Sequence, residues 1–494
     1  MILKVKSKKW AAGVPVVMLD KETASKIGLQ PKETVIIKTI SGRPKEVTAV
    51  LDIIEYEVKK DEALLSDEII SKLGVKKGQK VDVNLAPVPK SVEFIKKKLS
   101  NKELSKDEIY QIISDIVNDR LSEAEVALFI ASMYRVGTTN KETTYMINAM
   151  VKTGNRLSLN KKLIVDKHCI GGVAGNRTTP LVVSICAAAG LTFPKTSSRA
   201  ITSAAGTADV IETIAQVDFS VKELKSIIRK TNAFMIFGGG IGLVPADSKI
   251  INIEKELSID PRSQLLASIL SKKFAVGSKD ILIDIPYGKS AKVPTKKKAG
   301  ELKRKFDTLG HFFNKKIRCV ITDGRQPIGN GVGPAMEIMD VLKVLELKKD
   351  APKDLEKKAL FLAGNILEMA GKAKQGQGVY LASKILYSGR AFRKFCDIIK
   401  AQHGNIKKAR HARLKKDIFS DRSGRISVID NKKINALARV AGSPVDKSAG
   451  LYIYHHMGEH IGKKEKILTI YAETKPRINE ALKFFRDNRP IRIE

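Results

Sequence analysis

Cysteine is scarce in this chain. Its four residues, Cys169, Cys186, Cys319 and Cys396, stand far apart among 494 and form no CxxC pair. That spacing excludes a disulfide scaffold and a ribbon-type zinc site, and it points to a reducing cytosol. Long apolar runs are missing too: no stretch reaches the ~18 residues of a membrane span. Met1 is followed by "ILKVKSKKW", too short an apolar run for a secretory signal. The expectation is a soluble, cytoplasmic protein. Acidic charge is also short, 53 Asp plus Glu against 89 Lys plus Arg, a formal net charge of +36. Such a field attracts polyanions of every kind, and only individual sites can choose between nucleic acid and phosphorylated metabolites.

What is present is enough apolar sequence, 43%, for a large core. At roughly 100 to 200 residues per domain the chain should hold about three domains. The first 88 residues contain an internal echo. "VVMLDKETASKIGLQPKETVIIKTI" and "EALLSDEIISKLGVKKGQKVDVNLA" share an apolar start, an acidic turn, a short helix ending before Gly, a basic turn and an alternating strand. Two such half-units predict a small pseudo-symmetric β-barrel, 1–88, with no clustered catalytic set and a role in assembly or regulation.

Residues 89–160 show apolar residues at three- and four-residue spacing behind Ser, Asp and Thr caps, a helical lobe. The amphipathic stretch at about 244–278 is assigned to the same lobe, so the chain crosses twice between two lobes. In 161–243 and 279–420, strand, loop and helix alternate, as in "LIVDKH", "TFPKTSS", "DILIDIPYG" and "RCVITDG". That order predicts an α/β lobe with a mostly parallel sheet and ligands at the carboxyl ends of its strands. From 421 to 494 the pattern returns to short alternating strands, a β-rich C-terminal subdomain. The basic runs "TKKKAGELKRK" and "NIKKARHARLKK" read as solvated faces, with no interleaved aromatics on which bases could stack.

The chemistry concentrates in "VDKHCIGGVAGNRTTPLVVSICAAAG", Val165–Gly190. Asp166 and Lys167 fall at the end of a strand, the glycines let backbone N–H groups approach an anion, and "TTPLVVSICAAA" starts a helix whose amide end is positive. Thr178 and Thr179 add hydroxyls, and Pro180 suits a first turn. No Gly-Lys-Ser/Thr closes the loop, so it is not a Walker loop. A second segment, "KTSSRAITSAAGTADVIETI", again sets hydroxyls and an arginine in a Gly/Ala loop between strand and helix. Two anion loops at adjacent strand ends would hold two anionic groups. His455, His456 and His460 read as a surface cluster rather than a metal site. "TDGRQPIGNGVG" reads as a further phosphate loop.

The ordered set Asp-Lys-His-x-x-Gly-Gly-Val, "SSRAITSAAGTADVIE", "GGGIGLVPADSKI" and "ASILSKK" resembles the thymidine phosphorylase family of nucleoside phosphorylases. The extra N-terminal domain makes it look most like the archaeal AMP phosphorylase branch. The resemblance implies a pentosyltransferase that cleaves a nucleoside 5'-monophosphate with orthophosphate: AMP, with CMP and UMP as further substrates. It implies no cofactor and no metal, small-molecule partners rather than nucleic acid or membrane, and a homo-oligomer, dimer or larger. For "TDGRQPIGNGVG", its position in the family implies a turn supporting the cleft. Carried over by motif, orthophosphate lies with Lys167, Thr179, Ser198 and Thr207. The nucleotide contacts fall on Gly172, Ser198, Arg199, Ala200, Ile201, Thr202, Ser203, Thr207, Ser268 and Lys292, and Asp260 matches the proton donor.

Two departures bear on this. Cys169 stands where the family has serine, and no arginine occurs among Ile253 to Glu256, where pyrimidine-specific relatives carry one. Asp260 needs partial burial to keep a proton near neutral pH. The alternatives are a thymidine or pyrimidine nucleoside phosphorylase, a phosphoribosyltransferase of related fold, and a nucleic-acid-binding protein built on the net charge.

Overall fold

The computed structural model describes residues 1–200, 203–257 and 259–494. It divides into two units, Met1–Gly154 with Pro245–Ser268, and Asn155–Val244 with Ile269–Glu494.

The first unit opens with a closed six-stranded barrel. The echo in the sequence is its symmetry. Val16–Leu19 pairs antiparallel with its counterpart Glu62–Leu65, and Thr34–Thr39 pairs antiparallel with its counterpart Lys80–Leu85. Ile2–Ser7 joins the second half of the echo as Glu46–Ile53 joins the first, each lying parallel to one strand and antiparallel to another. Alternation then sends Val17, Leu19, Val35, Ile37, Val81 and Val83 inside, all with no exposed surface.

Helices Lys106–Val117, Glu123–Val136 and Asn140–Lys152 follow, each opened by a reciprocal capping box: Ser105 with Glu108, Ser122 with Glu125, Thr139 with Glu142. Glu142 does double service, because its carboxylate also pairs with the buried Lys98 at 2.8 Å. The later helix Pro245–Leu257 returns to this bundle, where the Lys249 ammonium caps the carbonyls of Ile116 and Val117 at 3.0 Å and pairs with Asp119.

In the second unit, strands Lys316–Asp323, Asp280–Tyr287 and Val165–Cys169 run parallel in that order, and Phe193–Ser197 runs parallel to Ala233–Phe237. A bridge between Ile164 and Thr192 joins the two sets. The helix Thr178–Ala188 is buried nearly all round, as its sequence TTPLVVSICAA requires. The tail from Leu414 is β-rich, with a three-stranded sheet and three strands of a four-stranded sheet whose remaining strand is Gly331–Val332. It also contains two helices, Asn431–Ala441 and Lys475–Asn488, which the alternating pattern did not reveal. The run "ARLKK" ends in the strand Leu414–Phe419 at the border of the four-stranded sheet, where exposed lysines discourage edge pairing. Among the described residues no helix is long and apolar enough to cross a membrane.

Candidate active site

Strand Val165–Cys169 lies beside Asp280–Tyr287 with Lys167 opposite Leu282 and Cys169 opposite Asp284. Alternation puts Lys167 and Cys169 on one face of the sheet, Asp166 and His168 on the other. Beyond the strand, Gly171, Gly172 and Gly175 all take positive φ, +93°, +82° and +66°. Two of them also lack space. A Cβ on Gly172 would stand 2.2 Å from the backbone nitrogen of Lys292, and one on Gly175 would stand 2.6 Å and 2.7 Å from the carbonyl oxygens of Ile328 and Gly331. The segment "TDGRQPIGNGVG" therefore supports the first loop, and Asp340 occupies its own amides at Asn330 and Gly331, both at 2.7 Å.

Lys167 is the buried cation of this loop. Its ammonium donates to Thr178 Oγ1 at 2.8 Å and Thr179 Oγ1 at 3.4 Å, and among the described residues no carboxylate lies within ion-pair distance of it. Burial holds its pKa below the ordinary lysine value, with the Cys169 and Asp284 groups opposing and Lys358 and Arg177 assisting. Because the threonine oxygens accept from Lys167, their own hydrogens remain available to an incoming anion.

On the opposite face Asp166 is fully buried and clamped. One oxygen pairs with Lys273 at 2.8 Å, and the other lies 3.5 Å from Lys195 and accepts the Lys167 N–H at 2.7 Å. Burial, and then the charge of Lys273, drive the Lys195 pKa well below normal despite Asp166. His168, half-buried beside them, is held well below 6.5 by desolvation and by the ammonium groups of Lys273, Lys195, Lys272 and Lys167. It is a neutral imidazole at physiological pH.

Asp284 supports the Lys167 face. Its carboxylate accepts from Thr322 Oγ1 at 2.6 Å and pairs with Lys358 at 3.1 Å. Burial works to raise its pKa, but Lys358 and Lys167 overcome that and hold it below the usual value. The Cys169 sulfur accepts from Asn176 Nδ2 at 3.4 Å. Burial and the Asp284 charge push the thiol up to about 11, so it stays protonated.

The second loop follows strand Phe193–Ser197 and ends at the short helix Thr207–Glu212. Ser198, Arg199, Ala200, Ser203 and Thr207 lie along it, while Ile201 and Thr202 fall outside the described residues. Asp209 folds the loop by accepting the N–H groups of Ala200 at 2.7 Å and Gly206 at 2.9 Å. Arg199 is engaged by Glu212 and stacks over Phe237 at 5.0 Å. Arg177, from the first loop, reaches the second: it donates to Thr207 Oγ1 at 2.7 Å and Ala205 O at 2.8 Å while pairing with the buried Glu337 at 2.7 Å.

Asp260 and Ser268 belong to the first unit. Ser268 is buried on the helix Arg262–Ala275, and Asp260 lies in the irregular segment before it. Asp260 is exposed, so the structure does not give it the partial burial asked of a proton donor. His455 pairs with Glu465 and Glu459 at 3.2 Å and 3.5 Å, and His456 with Asn330 at 3.2 Å. Among the described residues no group of three His, Cys, Asp or Glu is placed to hold a metal ion.

Comparison with known proteins supplies the frame for this geometry. Residues 92–154 match the glycosyl transferase family helical bundle domain, 161–392 its a/b domain, and 425–492 the pyrimidine nucleoside phosphorylase C-terminal domain. An AMP phosphorylase of Methanococcus vannielii is 41% identical over 485 residues, 98% of this chain and 95% of its own. An AMP phosphorylase of Thermococcus kodakarensis is 42% identical over 498 residues, 100% and 98%. The chain belongs to the nucleoside phosphorylase family. A putative thymidine phosphorylase of Legionella pneumophila lies in the same range, 40% over 450 residues, 91% of this chain and 87% of its own. Anthranilate phosphoribosyltransferase of Thermus thermophilus shares the fold, with a TM-score of 0.52 at 18% identity over 63% of this chain and 99% of that one.

As a nucleoside phosphorylase the chain is an enzyme, a pentosyltransferase. The residues that organise this phosphorylase's loops without standing among its expected substrate contacts are Arg177, Lys195, Lys273, Asp284 and Lys358; Lys273 closes the motif "ASILSKK", and Arg177 and Lys195 lie within the two loop segments. Two carried a signal: Lys195 in "FPKTS" and Asp284 in "DILIDIPY" are charges inside strands buried on both faces, where an ion must find a partner.

Proposed function

We propose that this phosphorylase cleaves nucleoside 5'-monophosphates with orthophosphate, converting AMP to adenine and ribose 1,5-bisphosphate and taking CMP and UMP as further substrates. The observation that carries the reading is Lys167, a buried ammonium with two hydroxyl partners and, among the described residues, no carboxylate within ion-pair distance, at the root of a glycine loop and a helix amide end. A buried cation without a direct ion-pair partner is costly, and an anion seated there lowers that cost.

Orthophosphate would be held by Lys167, Thr179, Ser198 and Thr207. Gly172, Lys292 and the loop from Ser198 to Ser203, with Thr207 and Ser268, would hold the nucleotide. In the reaction a phosphate oxygen forms a bond to C1' as the bond from C1' to the base nitrogen breaks with its electron pair. The base needs a proton, and the family resemblance assigns its delivery to Asp260. Orientation of the two substrates supplies a large share of the rate, up to ~7 to 11 kcal/mol in favourable systems. Homo-oligomeric assembly and a cytoplasmic location belong to the same proposal.

The test is incubation of the chain with phosphate and AMP, CMP, UMP, adenosine or thymidine, following release of free base. Base released from the monophosphates and not from adenosine or thymidine supports the reading, and thymidine as the preferred substrate overturns it. Asp260→Asn should lower turnover while leaving AMP binding largely intact.

A further inference from the structure

The helix Asn431–Ala441 of the tail reaches both anion loops. It carries two buried asparagines one turn apart, Asn431 at 0% exposure and Asn435 at 7%. Asn431 Oδ1 accepts the N–H of Ala174, in the first loop, at 3.0 Å. Its amide nitrogen donates to Gly324 O at 3.0 Å and Ser290 Oγ at 3.2 Å. Asn435 Oδ1 accepts the N–H of Ala204, in the second loop, at 2.9 Å, and its amide nitrogen donates to the Asn431 carbonyl at 2.9 Å. Past the helix, Lys447 pairs with Asp209 at 2.8 Å and Glu212 at 3.0 Å, the two carboxylates that fold the second loop and engage Arg199.

An amide side chain suits both positions because it accepts and donates at once. Leucine of similar size would leave the loop N–H buried and unpaired. Four residues of helix rise separate the two anchor points by about 6 Å, a fixed spacing on a rigid element. Arg177 ties the same loops together from the first loop.

We propose that Asn431 and Asn435 are positioning residues that set the spacing between the first loop, which carries Lys167 and Thr179, and the second loop, which carries most of the expected nucleotide contacts, acting through the backbone amides of Ala174 and Ala204. What the loops hold rests on the phosphorolysis reading; that the helix spaces them does not.

The experiment uses the full chain with AMP and orthophosphate. Asn435→Leu should raise the KM for AMP about tenfold, more than that for phosphate, and Asn431→Leu should do the reverse. Asn435→Gln keeps both the acceptor for Ala204 and the donor to the Asn431 carbonyl and should return the AMP KM to within about threefold of the parent. A helix that merely stabilises the fold would lower thermal stability in both leucine variants without splitting the two KM values in opposite directions. Unsplit KM values, or Asn435→Gln as impaired as Asn435→Leu, would overturn the proposal. Should the parent chain release no base from AMP, the substrate reading fails, and the spacing role is read from amide exchange with inorganic phosphate alone. Phosphate should then slow exchange at Ala174 and Ala204 in the parent and only at Ala174 in Asn435→Leu. Equal slowing at both amides in the variant refutes it.

Discussion

Gly172 and Gly171 are neighbours with the same backbone demand and different surroundings, and that pair isolates one close approach in the first loop. Both take positive φ, +82° and +93°, where an L residue costs roughly 1–2 kcal/mol. A Cβ on Gly171 would meet nothing within 4 Å. On Gly172 it would stand 2.2 Å from the Lys292 nitrogen and 2.9 Å from the Lys292 Cβ, both inside any allowed contact. The segment cannot yield easily. Gly288 N–H bonds to Val293 O at 3.0 Å, Ala291 N–H to Gly288 O at 2.9 Å, and Ser290 Oγ accepts the Asn431 N–H at 3.0 Å.

Overpacking of this kind costs about 1–3 kcal/mol, so Gly172→Ala carries roughly 2–5 kcal/mol of strain against 1–2 for Gly171→Ala. The loop escapes the strain by leaving its present conformation, and phosphate binding must then restore it. Phosphate affinity, measured by calorimetry on the unliganded chain, should fall about 5- to 30-fold in Gly171→Ala and at least a further fivefold in Gly172→Ala. Equal losses in the two variants would show that the approach of Gly172 to Lys292 is not required by the binding-competent loop, and the argument would fail.

His168 gives a pH signature. Its folded pKa lies well below 6.5, so the unfolded chain binds the additional proton, and stability falls as pH drops below about 6.5, by up to ~1.4 kcal/mol per unit. Urea midpoints at pH 7.5, 6.0 and 5.0 should show a shallower acid loss in His168→Asn than in the parent, and parallel curves would count against a neutral, buried imidazole. Cys169, with its thiol at about 11, should resist alkylation at pH 8 in the folded chain, and Cys169→Ser should keep the parent KM for phosphate within a few-fold. Rapid alkylation with loss of activity would refute that account of the residue.

The parts of this molecule legible in the sequence are those that local pattern dictates. The barrel could be read because its two halves repeat a strand, helix and strand whose counterparts pair with each other. The first loop could be read because strand, glycines and helix start follow one another within 26 residues, Val165–Gly190. Alternation on either side hid the tail helix Asn431–Ala441, although Asp430 caps its start by accepting the Lys432 and Lys433 N–H groups and Gly442 follows its end.

What escaped the sequence are contacts whose partners lie far apart along the chain. Asn431 meets Ala174 across 257 residues and Asn435 meets Ala204 across 231, and neither asparagine differs in type or spacing from a solvated one. The same limit applies to Asp166 and Asp284. Their charge in apolar strands announces that a partner must exist, but Lys273 and Lys358 come from helices that sequence alone cannot dock. The motifs thus name the residues proposed to meet a substrate, while the loops that carry them are also held by Asn431 and Asn435, which lie outside every motif. A variant chosen from the motifs tests contact, and one chosen from the buried pairs tests geometry. Asn435→Leu therefore asks something that no substitution in the glycine loop can answer: whether the two anion loops must be held a fixed distance apart for either to work.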